Sequence, residues 1–154
     1  MPLLVVVTRA RCSPAVLFDL ALDVDAHAES LPRSRETATT RGARVLGPGD
    51  EVTFTARHLG VRWRLSSRIT EHERPHRFVD EQVRGPFASM RHEHLFEADG
   101  DGGTVMTDRM HVVAPLGPVG ALAGRTVLWP HLRRLLRERG AHLATVAAAR
   151  GQDL

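Results

Sequence analysis

The hydrophobic period of this chain changes once, at Pro115, and that change constrains the fold more than any other feature. Over residues 51–113 apolar and polar residues alternate between turns at hairpin spacing, which predicts antiparallel strands that each bury one face. After Pro115 leucines recur every three or four residues and predict one long amphipathic helix. A helix with one apolar stripe and a half-apolar sheet imply two layers, so we predict an α+β fold with the helix laid across one sheet face.

Turns separate the predicted strands. Strands are expected at residues 51–58, 61–70, 78–84, 88–97 and 104–113, with a weaker one at 34–40. The final helix carries its apolar stripe on Leu128, Leu132, Leu135, Leu136, Leu143 and Val146. Pro130 removes a backbone donor, so it should either kink this helix or mark its beginning.

The N-terminal part of the chain contains a β-like run at residues 3–8 and two short helices. Ser13 followed by Pro14 marks the first helix start, because the serine can cap the first turn and the proline already holds a helical φ. The second helical stretch covers residues 25–30 and ends before Pro32. No repeat or linker interrupts the chain, so we expect residues 1–150 to form a single domain.

The isoelectric point of about 10.7 invites a nucleic-acid interpretation that the composition does not favour. The net charge is only +3, and the high value arises because every basic residue is arginine. Lysine, asparagine and tyrosine, which are absent, share AT-rich codons, so a GC-rich genome explains the bias. The arginines are scattered and lack an aromatic stacking platform, so no nucleic-acid partner is predicted. We interpret Arg133, Arg134, Arg137 and Arg139 as the wet side of the final helix, with a partner-binding patch as the alternative.

The sequence also predicts where the chain resides. The apolar run at residues 3–7 is too short for a signal peptide, and no later segment is long and apolar enough to span a membrane. Cys12 is the only cysteine, so it cannot form an internal disulfide and agrees with a reducing compartment. We therefore predict a cytoplasmic location, with a homodimer left open.

Several short motifs follow one another at a recognisable spacing. They are residues 49–52 (GDEV), 68–70 (RIT), 78–82 (FVDEQ), 85–87 (GPF), 92–96 (HEHLF), 103–108 (GTVMTD) and 115–117 (PLG). In order and spacing they resemble the START-like superfamily, also called SRPBCC or helix-grip proteins, in the bacterial ligand-binding branch related to polyketide cyclases. The resemblance implies a curved antiparallel sheet of about seven strands wrapped around a long C-terminal helix, two short helices after the first strand, and an apolar cavity. Members carry lipids, bind hormones, cyclise polyketides or assist chaperones, so the function must be argued from the lining residues.

Because side chains alternate along a strand, the polar residues of two neighbouring strands should meet on the inner face. His92 and His94 share one strand face, and Asp108 on the next strand should lie opposite or diagonal to one of them. The three are candidate catalytic groups, or a buried pair in which the aspartate only orients a histidine. They could also begin a metal site, but further converging ligands are not visible, so no metal or other cofactor is predicted.

The inner faces together give the predicted ligand-binding set. It comprises Phe54, Trp63, Gln82, Met90, His92, His94, Phe96, Met106, Asp108, Met110, Leu128 and Leu132. Asp80 shares a strand face with Gln82 and is a further polar group there. We expect a cavity bounded by Trp63, Phe96, Met106, Met110 and the Leu128 and Leu132 side of the final helix.

Three functions remain open at this point. The first is binding or carrying a small hydrophobic molecule, which could be lipid-, polyketide- or aromatic-like. The second is a cyclase, dehydratase or lyase-like enzyme that uses acid–base catalysis, and the third is a protein-interaction module like the chaperone assistants. Because no nucleophile elbow, phosphate loop or complete metal motif is present, binding is favoured over catalysis.

Overall fold

The computed structural model describes residues 3–29, 37–42, 44–58 and 60–152, without the side chains of residues 27, 28, 151 and 152. Its strands are β1 (Leu3–Ala10), β2 (Thr37–Thr40), β3 (Glu51–His58), β4 (Val61–Glu73), β5 (Arg77–Arg84), β6 (Ser89–Ala98) and β7 (Thr104–Val113). Its helices are α1 (Pro14–Ala21), α2 (Val24–Glu29), α3 (Gly117–Ala123) and α4 (Trp129–Gln152), and a π-helical turn (Gly124–Leu128) joins α3 to α4. Residues 34–36 of the predicted weak strand, and residue 30 of the predicted second helix, lie outside the described part of the chain.

All strands belong to one antiparallel sheet in the order β1-β7-β6-β5-β4-β3-β2. Strand β4 shifts its register against β5 twice, between Ser66 and Ser67 and between Ile69 and Glu71. Such irregularities bend a strand, and here they help to curve the sheet. The antiparallel strands predicted for residues 51–113 are confirmed.

Helix α4 lies across the concave face of the sheet, and its apolar stripe provides the contact. Leu136, Leu143 and Ala147 are buried there. The helix comes close to β1 at Gly140, where a Cβ atom would lie only 2.2 Å from Thr8 Oγ1. A long helix gripped by a curved sheet is the helix-grip arrangement, so the predicted fold class is confirmed.

Both prolines at predicted helix starts act as expected. The Ser13 hydroxyl accepts a hydrogen bond from the Val16 N–H at 3.4 Å, and Pro14 occupies the first position of α1. Pro130 is the second residue of α4, and Trp129 lies between it and the π-helical turn. It has no N–H to donate to the preceding turn, and π turns accommodate such interruptions of the hydrogen-bond ladder. Pro130 therefore lies in the first turn of α4.

The space between the sheet and the helices has two parts. Under α1, α2 and the C-terminal part of α4, the rings of Phe18, Phe78 and Phe96 contact one another and fill the interior; we call this the filled half. Under α3 and the N-terminal part of α4, a smaller buried cluster includes Trp129 and Leu136. This second part, the hollow half, contains the cavity. Within the described ranges, no helix has the length and apolar character needed to cross a membrane.

Candidate functional site

A cavity of about 440 Å³ occupies the hollow half. Strands β3 to β7 supply its floor, and the segment from α3 to the middle of α4 supplies its roof. Five of the described lining residues are polar, namely His58, Asp80, His92, His131 and Arg139, and the rest are apolar residues or glycine. An apolar wall with a few polar groups, and a volume between roughly 300 and 1,000 Å³, are typical of small-molecule sites.

Seven of the twelve predicted ligand-binding residues line this cavity: Phe54, Trp63, Met90, His92, Met110, Leu128 and Leu132. The other five, Gln82, His94, Phe96, Met106 and Asp108, lie outside its lining. Phe96 and Met106 are 1% and 2% exposed and belong to the filled half, because α1 covers that end of their strands. That any of the twelve contacts a ligand stays a prediction.

Gln82 shapes the wall of the cavity from outside it. Its amide nitrogen donates to the Phe87 carbonyl at 2.9 Å, and its amide oxygen accepts from the Phe87 N–H at 3.3 Å. Pro86 and Phe87 line the cavity, so this amide holds the turn between β5 and β6 against it. Gly85 leaves room for the amide, since a Cβ atom there would lie 2.4 Å from the Gln82 side-chain oxygen.

A chain of polar side chains crosses four strands at the border between the two halves. His92 and Asp108 are joined by a hydrogen bond of 2.9 Å between Nε2 and Oδ1, and His94 and Asp80 by one of 2.8 Å between the same atom types. The remaining His94 nitrogen, Nδ1, lies 3.1 Å from Asp108 Oδ1. Ser67 donates to the second oxygen of Asp80 at 2.7 Å. We call these five residues the polar chain.

The charges in the polar chain follow from burial and from its hydrogen bonds. Burial opposes the charged form of both carboxyls, but the histidine partners outweigh it and hold the pKa of Asp80 and of Asp108 well below their usual range. Burial likewise opposes a charge on His94, yet its contacts with Asp108 and Asp80 raise its pKa. Burial and the positive charge on His94 lower the pKa of His92 to about 4. The two pKa values therefore move apart, so His94 still holds a proton at a pH at which His92 has lost its own.

The position of these residues decides which of the charged groups a molecule in the cavity can contact. His92 and Asp80 line the cavity, whereas His94 and Asp108 lie behind them. The neutral His92 donates its Nε2–H to Asp108, which leaves Nδ1 as an acceptor. With His94 protonated, two carboxylates and one imidazolium give the polar chain one net negative charge.

Three members of the polar chain also have the spacing of metal ligands. One donor atom from each of Asp80, His92 and His94 lies within 4.8 Å of the others. The two imidazole rings are stacked, however, with centroids 3.7 Å apart and planes 29° apart. Lone pairs in stacked rings run side by side instead of converging. Three of the four ring nitrogens lie within 3.1 Å of a carboxylate oxygen, and the fourth, His92 Nδ1, lies 3.9 Å from Asp80 Oδ1. The arrangement fits a hydrogen-bond chain better than a metal site.

Sequence reasoning missed two functional candidates. Asp80 was regarded only as an extra polar group, although its partner on β6 is His92 and the inner-face pattern already contained it. Arg139 was assigned to the wet side of the final helix, and this assignment is wrong: the residue is half-buried and lines the cavity. Its spacing was the available signal, since it lies three residues after Leu136 and four before Leu143 in the apolar stripe.

A histidine pair closes one side of the cavity. His131 Nε2 at the start of α4 lies 3.2 Å from His58 Nδ1 at the end of β3. The contact ties the helix to the end of β3 beside Trp63, whose indole N–H donates to the His58 carbonyl at 2.9 Å.

Comparison with known proteins agrees with this architecture. Residues 1–148 match the family model described as polyketide cyclase / dehydrase and lipid transport. Among solved structures, a protein of Thermus thermophilus is 16% identical, with a TM-score of 0.76 over 95% of this chain and 99% of that one. The Zhui aromatase/cyclase of Streptomyces sp. R1128 is 15% identical, with a TM-score of 0.73 over 95% and 93%. Major latex-like protein 151 of Panax ginseng is 14% identical, with a TM-score of 0.65 over 92% and 96%. No curated protein matches the chain by sequence.

Proposed function

Because the chain belongs to the polyketide cyclase, dehydrase and lipid-transport family of the START-like superfamily, we propose that it binds or carries a small, largely apolar molecule in its cavity. The observation that carries the proposal is the cavity of about 440 Å³ with an apolar wall. Burial of apolar surface drives binding there, and the few polar groups orient the bound molecule. Residues 1–150 act in this proposal as one ligand-binding unit.

The protonation of the polar chain favours binding over catalysis. An efficient general base has a pKa near the working pH. The histidine at the cavity wall, His92, has its pKa lowered to about 4, so it is a weak base at neutral pH. The charged histidine, His94, could serve as an acid, but it lies behind the wall. A fixed set of hydrogen-bonding groups is the better description.

One observation keeps acid–base catalysis of the cyclase or dehydratase kind as the second candidate. Asp80 lines the cavity and is hydrogen-bonded to His94, so a connected path runs from the wall to the protonated imidazole. Such a path could relay a proton to a carbonyl group of a bound molecule. The family description includes cyclases and dehydrases as well as lipid transport.

Native mass spectrometry of protein purified without detergent tests the binding proposal. We expect a population whose mass exceeds that of the chain by one small molecule, and we expect this excess to disappear when the same sample is denatured. A bare protein mass that also stays bare after incubation with small apolar compounds would contradict the proposal.

The same instrument separates the two candidates. Proton abstraction next to a carbonyl in D₂O exchanges carbon-bound hydrogen for deuterium. If the protein is a carrier, the recovered molecule keeps its mass after incubation with the protein in D₂O. A gain of deuterium that occurs with wild type and not with Asp80→Asn would favour the enzyme.

A further inference from the structure

We propose that Arg139 binds an acidic group of the ligand, so that the preferred ligand is an organic acid with an apolar body and a carboxylate end. This inference rests on the proposed function, because it assigns a role to a residue in the same cavity. It adds a chemical class of ligand, which the cavity volume and the family description leave open.

The first basis for the proposal is the position of Arg139 on α4. The residue belongs to the inner face of the helix, between the buried residues Leu136 and Leu143. It lines both the main cavity and a second space of about 30 Å³ that adjoins the filled half. Asp80 and Phe54 also line both spaces, so Arg139 lies at the end of the cavity where the two spaces meet.

The second basis for the proposal is that Arg139 has no ion-pair partner within the described part of the protein. Several other arginines that reach into the protein or across strands are paired, for example Arg77 with Glu71 and Glu93, and Arg74 with Asp19. Within the described ranges, no carboxylate lies within ion-pair distance of Arg139, and its side chain makes no hydrogen bond. A guanidinium is always charged and offers five donors. The Arg139 side chain is half-buried and lines an apolar cavity, where a charged group is stabilised by a partner of opposite charge.

Two carboxylates line the second space with Arg139, Asp23 and Asp80, and both already have partners within the protein. Asp23 accepts hydrogen bonds from the N–H groups of Asp25 and Ala26. Asp80 accepts hydrogen bonds from Ser67 and His94, and the causes of its lowered pKa are these partners and His92. Arg139 is therefore not needed to stabilise the polar chain. It supplies a positive charge that the cavity can offer to a bound molecule.

An organic acid fits this combination of surfaces. A carboxylate can accept two parallel hydrogen bonds from one guanidinium, and this geometry gives both strength and orientation. With the carboxylate at Arg139, an apolar body can extend along Met110, Leu132 and Leu128, which line the same cavity. Such a ligand pairs the unpartnered charge and fills the apolar wall at the same time.

Competition binding with matched compounds tests this inference. N-phenyl-1-naphthylamine, a neutral dye that fluoresces in apolar surroundings, reports occupancy of the cavity. Decanoate and 1-decanol share a ten-carbon chain and differ in the charge of the end group, and each is titrated against the dye. We expect Arg139→Gln to lower the affinity for decanoate, relative to the affinity for decanol, by about tenfold. Arg137→Gln removes the same charge from an exposed position two residues away and should leave this ratio as in wild type.

The outcomes separate the inference from the proposed function. A decanoate to decanol ratio that is unchanged in Arg139→Gln, or that changes equally in Arg137→Gln, overturns the role of Arg139 while binding in the cavity stands. If the dye and both competitors fail to bind wild type, the proposed function fails, and the inference fails with it. Circular dichroism of both variants checks that the fold is intact.

Discussion

At the scale of single residues, the polar chain divides its charges between the interior and the cavity. His94 lies between two carboxylates, which raise its pKa, while burial and the charge on His94 lower the pKa of His92, stacked on it, to about 4. The second proton is excluded because it would place two positive rings 3.7 Å apart in a buried site. His92 and Asp80 are therefore the members of the polar chain at the cavity wall, and the His94 ring is kept from direct contact with a bound molecule.

This arrangement predicts how stability depends on pH. The folded protein has the pKa of His92 at about 4, below the value of about 6.5 for an unfolded chain. As the pH falls from 7 to 5, the unfolded state takes up this proton first, so His92 lowers the free energy of unfolding by roughly 2 kcal/mol. His94 acts oppositely, because its raised pKa gives stability that is fully present below pH 6.5 and lost at higher pH.

Comparison of wild type with His92→Gln isolates the His92 contribution. Urea unfolding at pH 7 and pH 5 should show wild type losing roughly 2 kcal/mol more than the variant over this interval. His76→Gln changes an exposed histidine and should follow wild type at both values. Equal losses in wild type and in His92→Gln would show that His92 is protonated in the folded state.

At the scale of elements, the period of the sequence predicted the strands and α4, and the alternation on β6 and β7 predicted which side chains face inward. It did not predict which inward residues meet the cavity. Met90 and Phe96 lie on the same face of β6, yet one lines the cavity and the other is covered by α1. That difference depends on contacts between distant segments, which a local period does not contain. Arg139 was missed because its charge was given more weight than its spacing.

The contact between α4 and β1 provides a prediction at this scale. Gly140→Ala should destabilise the protein by about 1–3 kcal/mol, because the new Cβ atom would lie 2.2 Å from Thr8 Oγ1. The direction of the change in stability is informative, because alanine is intrinsically better than glycine in a helix by about 1 kcal/mol. Without the close contact, Gly140→Ala would therefore be expected to stabilise the protein.

A double-mutant cycle supplies the control for this contact. Thr8→Ala removes the two threonine atoms beyond Cβ, so Gly140→Ala should cost less stability in that background than in wild type. Urea unfolding of the four proteins measures the coupling. A stabilising Gly140→Ala, or a cost that is the same in both backgrounds, would show that α4 is not pressed against β1 at this point.

At the scale of the whole molecule, one half of the interior is closely packed and the other half is hollow. This separation explains how one small fold can be stable and still contain a cavity. In the filled half, Phe18 of α1 packs against Phe78 and Phe96 of the sheet, and this close packing supplies stability. The hollow half gives up close packing, which costs stability, and gains a space for a ligand. Helix α3, none of whose residues is buried, forms part of the roof of this space.

The most direct test of the central claim is a titration of wild type and Ala56→Phe with the neutral dye N-phenyl-1-naphthylamine. Ala56 lines the cavity, so the added ring should occupy ligand space and weaken binding at least tenfold in a protein that still folds. Phe96→Leu, a change in the filled half, should lower stability by about 1 kcal/mol or more but leave the dye affinity as in wild type. We predict saturable dye binding to wild type that is weakened by Ala56→Phe and not by Phe96→Leu. A folded Ala56→Phe that binds the dye as tightly as wild type would contradict a cavity-binding function.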